Sequence, residues 1–179
     1  DLGLGSSASV CVGVLKTLAT YLDLPYSKYE LAEQAYHIAR NVLGKPVGKQ
    51  DEYASAFGGL NFINFHRDGS TLVEPVSLRS DLLREFQSNL MLFFTGVAHN
   101  SWSLLQEQEK STKQGSGVAV DSLHEIRGLA DCMRDALVKG DFRSFGAMLD
   151  EGWQAKKRIS SQISTSTIDT AYEAAIHSG

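Results

Sequence analysis

Apolar residues Val10, Val14, Leu18 and Leu22 recur every fourth position, the spacing of one face of an α-helix, and predict a helix over about residues 6–22. A second helix is predicted over 28–43 in "LPYSKYELAEQAYHIARNVLG", where Ser27 followed three residues later by Glu30 has the form of a capping box. A polar turn at 44–50 and a short helical segment over 51–56 come next. The pattern then shortens: Leu60, Phe62, Ile63 and Phe65 precede Asp68-Gly69 and "STLVEPV", which predicts a hairpin with Asp-Gly at its turn. "SNLMLFFTG" predicts a buried strand ending at Gly96, followed by a helix over about 101–113. Leu123, Ile126, Ala130, Met133 and Leu137 form a further helical stripe that Gly140-Asp141 breaks. Phe142, Phe145, Leu149 and Trp153 begin another, and a last helix is predicted from about 166, with Ile168, Ala171, Tyr172 and Ala175. The order implies an α+β fold, with helices covering one sheet and a helix-rich second half.

Composition narrows the function classes. With 179 residues, 42% of them hydrophobic, the chain can bury a sizeable core, and its net charge of −4 carries no basic bias toward nucleic acid. No stretch approaches the apolar length of a membrane span, so no membrane association is expected. Cys11 and Cys132 lie far apart in sequence, which favours free thiols and a reducing, cytoplasmic location. His37, His66, His99, His124 and His177 show no pair at helical metal spacing, so a zinc site is not expected.

The candidate chemistry begins at "GLGSSASV", Gly3 to Val10. A helix N-terminus leaves amides unpaired and carries partial positive charge, so a Gly-rich turn there suits an anion, and Ser6 or Ser7 can either cap the helix or offer a hydroxyl to phosphate or metal. An ordinary capped helix is the other reading. "GLGSSA" also fits a dinucleotide fingerprint, with Asp23 at the distance of a ribose-binding acid. That fold requires a strand to carry the acid, and two consecutive helices leave no room for one. "GKPVGKQ", Gly44 to Gln50, is one residue short of a Walker loop and has Gln where a magnesium-binding hydroxyl belongs. A serine-hydrolase elbow is absent. In "GKQDEY", Gly48 to Tyr53, an aspartate at a helix start is either an N-cap or a general base.

Read together, "GLGSSAS", two helices and "GKQDEYASAFGGLNF" resemble the GHMP kinases, and most of all the D-glycero-D-manno-heptose 7-phosphate kinases, whose catalytic segment reads close to "GKQDQYAAAFGGLNF". "GDFRSFGAMLDEGWQAKKRIS" and "IDTAYEAA" extend the resemblance over nearly the whole chain. It implies an incomplete GHMP kinase fold: a ribosomal protein S5 domain 2-like N-terminal part, with residues 1–76 the remainder of the ATP-binding domain, and a truncated, helix-rich α+β C-terminal domain over 77–179. Family members have a strand-rich segment before the phosphate loop and a Gly-rich motif after the helix that here reaches "AIHSG", so an internal portion of a kinase is expected.

The resemblance assigns roles residue by residue. Gly3, Leu4, Gly5, Ser6, Ser7 and Ala8 would hold the phosphates of ATP, and the Ser7 hydroxyl would reach Mg²⁺. Asp51 would take the proton from the attacking sugar hydroxyl, or orient it. Lys49 would contact substrate or phosphate, with simple surface exposure as the alternative. The implied reaction is phosphorylation of the anomeric hydroxyl of a heptose 7-phosphate to the 1,7-bisphosphate, for nucleotide-activated heptose and surface polysaccharide. A kinase for galactose or fucose, or an impaired homologue that binds without turnover, are alternatives, and self-association stays open. Two positions depart from the pattern. Ala39 stands twelve residues before Asp51, where galactokinase-like members carry a metal-binding glutamate, and Glu33, six positions off, is expected on another helical face. His99 stands where the heptose kinases are expected to carry a basic residue.

Overall fold

The computed structural model describes residues 4–94, 105–106, 109–110, 112, 117–160 and 162–178. Gly3, His99, Thr95-Gly96 and most of the helix expected over 101–113 lie outside them. The described residues fall into two compact units that meet in sequence after Val76.

The first unit holds α1 (Ser6–Tyr21), α2 (Lys28–His37), a π-helical turn (Ile38–Val42), α3 (Gln50–Phe57) and the antiparallel pair β1 (Asn61–Phe65) and β2 (Thr71–Pro75). Ser27 starts α2 as the sequence pattern anticipates: its hydroxyl accepts from the Glu30 amide at 3.2 Å, and Glu30 Oε2 accepts from the Ser27 amide at 2.7 Å. The second expected helix changes character after His37. Leu43 N donates to Ile38 O, a five-residue step, so the last turn is widened into a π-helix, a geometry that accommodates one extra residue and often marks functional sites. In the hairpin, Ile63 faces Val73 and Phe65 faces Thr71, with the Asp68-Gly69 turn between the strands and Gly69 at φ 87°. The core of the unit is Ala32, Tyr53 and Val73, with Ala56, Phe57 and Ile63 packed around it.

The α1 face is a correction to the pattern. Val10, Val14, Leu18 and Leu22 do share one side of the helix, but they are exposed, Val10 at 66%. The buried side carries Ala8, Val12 and Ala19. Small residues let helix axes approach closely, so the alanine face is the one that packs, and the larger apolar residues are left outside.

The second unit holds α4 (Ser80–Ser88), α5 (Gly117–Lys139), α6 (Phe142–Ile159) and α7 (Ser166–His177). Gly140, at φ 75°, and Asp141, whose carboxylate caps α6 through the Ser144 amide, turn α5 into α6. Phe86 of α4 packs edge-on against Phe145 at 5.5 Å between centroids, and Trp153 of α6 meets Tyr172 of α7 at 6.0 Å. Lys157 and Asp169 pair across α6 and α7 at 3.8 Å. The buried strand expected in "SNLMLFFTG" is not formed over Leu90–Phe94: these residues are irregular and exposed, Met91 at 80% and Leu92 at 81%. A strand is held by a neighbouring ladder, and among the described residues the one sheet has two strands, both in the first unit.

Cys11 and Cys132 are free thiols. Among the described residues no helix is long and apolar enough to cross a membrane.

Candidate active site

Gly5 is the N-cap residue of α1 and lies in the left-handed region, φ 66°, ψ 22°. Neither Ser6 nor Ser7 caps the helix: no side-chain capping bond is made, and the first turn holds no acidic residue. The first intrahelical amide bond is Ser9 N to Gly5 O at 3.0 Å, so the amides of Ser6, Ser7 and Ala8 precede the hydrogen-bonded ladder and make the end of α1 electropositive. Leu4, Ser6 and Ser7 are exposed, and Ala8 is buried beneath them. Asp23 occupies a left-handed turn after α1, φ 55°, with α2 following, so no strand carries it toward the glycines.

Asp51 reaches the same place from α3. A Cβ on Gly5 would stand 3.5 Å from Asp51 Cγ, an ordinary contact, so the loop lies against Asp51 and the preference for glycine comes from its left-handed backbone. Leu4, Gly5, Ser9, Asp51, Ala54 and Ser55 line a cavity of about 300 Å³, and Ser9 Oγ and Ser55 Oγ meet at 3.1 Å along its edge. Asp51 is exposed and sits inside the first turn of α3, not at its N-cap, which is Lys49 without a side-chain capping bond. The N-cap reading of this aspartate therefore falls, since its carboxylate makes no capping bond to the helix it opens.

Lys49 is tied down. Its ammonium donates to Glu33 Oε1 at 2.7 Å and to Gly69 O at 3.2 Å, and lies 5.3 Å from the centroid of the Tyr36 ring. Glu33 also accepts from Tyr53 Oη at 2.5 Å. Partial burial works against ionisation of Glu33, but the hydrogen bonds from Lys49 and Tyr53 and the lysine charge outweigh it, so the carboxyl titrates below its ordinary range. Tyr53 is pushed up to about 12, by burial first and by donating to a carboxylate second. Neither Glu33 nor Tyr53 stands out in sequence as part of this arrangement. The one signal available is that "GKQDEY" places Lys49 and Tyr53 two residues either side of Asp51.

Glu52 is 4% exposed, and its Oε2 has no hydrogen-bond partner. Burial first, and the negative charge of Asp51 after it, raise its pKa against the opposing pull of a hydrogen bond from its own backbone amide and, more weakly, of Lys45. Ala39 lies half-buried in the π turn, its carbonyl accepting from Lys45 N at 2.9 Å.

The loop suits a phosphate chain: uncapped amides, no competing acid in the first turn, and a glycine that keeps the floor open. Among the described residues no group of three His, Cys, Asp or Glu gathers into a metal cage. Magnesium bound alongside phosphates usually takes one or two carboxylates and several waters; Ser7 is exposed in the first turn of α1 and Asp51 is the carboxylate that lines the cavity beside Gly5.

Residues 1–59 match the family described as GHMP kinases N terminal domain. The chain is 34% identical over 177 residues to a D-glycero-alpha-D-manno-heptose 7-phosphate kinase of Campylobacter jejuni, covering 99% of this chain and 52% of that protein. It is 24% identical over 161 residues to an L-fucokinase/L-fucose-1-P guanylyltransferase of Bacteroides fragilis, 89% of this chain and 17% of that one. Among solved structures, a D-glycero-D-manno-heptose 1-phosphate kinase from Bacteroides thetaiotaomicron matches with a TM-score of 0.71 and 34% identity over 87% of this chain and 44% of that chain. A sugar kinase structure from Campylobacter jejuni matches with a TM-score of 0.65 and 29% identity, over 98% and 48%. The chain thus spans about half the length of the heptose kinase relative and of both structures.

Proposed function

Because this chain belongs to the GHMP kinases, we propose that it is part of an ATP-dependent sugar kinase acting on the anomeric hydroxyl of D-glycero-D-manno-heptose 7-phosphate in the cytoplasm. Residues 1–76 contribute to the ATP-binding domain and 77–179 to the C-terminal domain. The observation that carries the reading is the meeting of Gly5 and Asp51 across one cavity, an uncapped helix N-terminus facing a carboxylate. The heptose is taken from the 34% identical relative, which outranks the more distant fucokinase.

ATP with Mg²⁺ supplies the γ-phosphoryl group and the charge that offsets its oxygens. The chain supplies positioning and proton transfer, which is most of what phosphoryl transfer asks of a protein. The amides of the Gly3–Ala8 loop would hold the phosphate oxygens, and Ser7 would offer its hydroxyl to the metal. As the sugar oxygen bonds to phosphorus and the bond to the departing ADP breaks, Asp51 takes the hydroxyl proton. The Lys49 ammonium has three N–H groups, two of them directed to Glu33 and Gly69; the third serves a substrate oxygen.

Ala39 favours a second reading, an impaired kinase, because a methyl group cannot ligate magnesium. One assay separates the two. The full-length protein is supplied with ATP, Mg²⁺ and a panel of heptose phosphates, galactose and fucose, and ADP release is measured. The parent turns over the heptose 7-phosphate, and Asp51→Asn lowers kcat by about 10²- to 10⁴-fold while ATP still binds. A parent with no turnover that gains it on Ala39→Glu establishes the impaired reading instead, and an Asp51→Asn variant as fast as the parent removes Asp51 from the chemistry.

A further inference from the structure

Asp51 sits on a helix start that lacks the usual local fixings. The N-cap of α3 is Lys49, with αR dihedrals and no side-chain capping bond, and a short uncapped helix frays from its first turn. Yet three elements converge on that turn. Glu33, from α2, accepts through one oxygen from Lys49 at 2.7 Å and from Tyr53 at 2.5 Å, the residues two positions before and two after Asp51. The hairpin turn adds Gly69 O on the same ammonium at 3.2 Å. Tyr53 is itself immobilised, 2% exposed and ringed by Tyr29, Phe57 and Phe65 at centroid distances of 6.0, 6.0 and 5.8 Å. Tyr29, in turn, accepts from the Val73 amide at 3.2 Å, which joins α2 to β2.

We propose that Glu33 is a positioning residue for the reaction: by holding Lys49 and Tyr53 on one carboxylate oxygen it sets the first turn of α3, and with it the direction of the Asp51 carboxylate and of the remaining Lys49 N–H. The inference rests on the reading of Asp51 as the proton acceptor. Glu33 touches no reacting atom. Its ionised carboxylate offsets the lysine charge, while the tyrosine bond fixes which way the carboxylate faces. A charge-assisted pair aimed by a buried ring loses little side-chain freedom on forming, unlike a surface ion pair. The start of this helix is thus tethered through its side chains, by a carboxylate 16 residues before Lys49 and 20 before Tyr53, while its first backbone amides stay uncapped.

The test combines kinetics with hydrogen exchange on the full-length protein and its Glu33→Ala, Glu33→Gln, Tyr53→Phe and Asp51→Asn variants. Displacing a catalytic group by a fraction of its bond length costs rate more than affinity, so Glu33→Ala lowers kcat by about ten- to a hundredfold with KM for ATP within about twofold. Glu33→Gln, which keeps the accepting oxygen, recovers most of the loss, and Tyr53→Phe shows a smaller loss of the same kind. In the Asp51→Asn background Glu33→Ala changes kcat by less than about twofold, because the group it aims is already gone. Amide exchange at Tyr53, whose N–H makes the first hydrogen bond of α3, to Lys49 O at 3.1 Å, speeds at least about tenfold in Glu33→Ala while that of β1 is unchanged. Equal kcat losses in both backgrounds, a Glu33→Gln as slow as Glu33→Ala, or unaltered exchange overturns the proposal. The Asp51→Asn single variant reports separately on the reading beneath it, and the exchange measurement decides the positioning role whatever the rate of the parent.

Discussion

Tyr53→Ala should unfold the first unit, whereas Tyr53→Phe should not. Tyr53 is 2% exposed and is the one large side chain of the chain's described residues that is fully buried, in a cluster whose other buried members are Ala32 and Val73. Truncating a buried aromatic to alanine costs about 3–5 kcal/mol, the upper part where neighbours cannot collapse into the space. Here the neighbours are three other rings, those of Tyr29, Phe57 and Phe65, stacked or edge-on at about the same distance, and Tyr29 is itself bonded to the Val73 amide of the sheet. A loss of about 4 kcal/mol is most of the stability of a small domain. Tyr53→Phe removes only the hydroxyl. Its acceptor, Glu33, keeps Lys49 and is 42% exposed, so water replaces the lost donor and the cost is about 1 kcal/mol. Urea unfolding followed by exchange of the Lys28–His37 and Gln50–Phe57 amides reads both values. Variants that differ by less than about 1 kcal/mol would refute the assignment of Tyr53 as the keystone of this core. The tyrosine also predicts alkaline weakness: its pKa rises from 10.0 unfolded to about 12 folded, so the folded state keeps a proton that the unfolded chain sheds. Stability is full below pH 10 and falls between 10 and about 12, less steeply in Tyr53→Phe.

Glu52→Gln should stabilise the protein at neutral pH. The folded-state carboxyl is raised by burial and by Asp51, so the folded state favours its protonated form; stability is present below the unfolded value of 4.5 and lost as pH climbs through the folded value. The amide abolishes that loss, so Glu52→Gln unfolds at a higher urea midpoint than the parent at pH 8 and at the same midpoint at pH 4; equal curves at pH 8 would discount the buried charge. Gly5→Ala places a methyl group at φ 66° and 3.5 Å from Asp51 Cγ, a contact without a clash, so the cost comes from the backbone, about 1 kcal/mol. Urea unfolding and calorimetric titration with a non-hydrolysable ATP analogue should show lower stability and weaker binding together; an unchanged midpoint would mean the loop does not need its left-handed residue.

Much of this molecule is readable from short windows. Ser27 and Glu30 announce the start of α2, Asp68-Gly69 the hairpin turn and Gly140-Asp141 the break between α5 and α6, because each acts on backbone groups within four residues. The Gly-Ser loop and "GKQDEY" are legible for the same reason, as contiguous stretches whose residue types suit anion binding and proton transfer. Other features belong to packing alone. The period of α1 is written in Val10, Val14, Leu18 and Leu22, yet the face that is buried is Ala8, Val12 and Ala19, since period marks a stripe and only the shape of the neighbouring helices selects which stripe can approach. "LMLFF" has the composition of a strand, and composition does not provide the ladder that a strand must join. Glu33 reads as one more polar residue on α2. Its bonds to Lys49 and Tyr53 exist because the helices around it bring together residues 16 and 20 positions apart, and separations of that kind are set by the closing of the fold, not by any local preference of the chain.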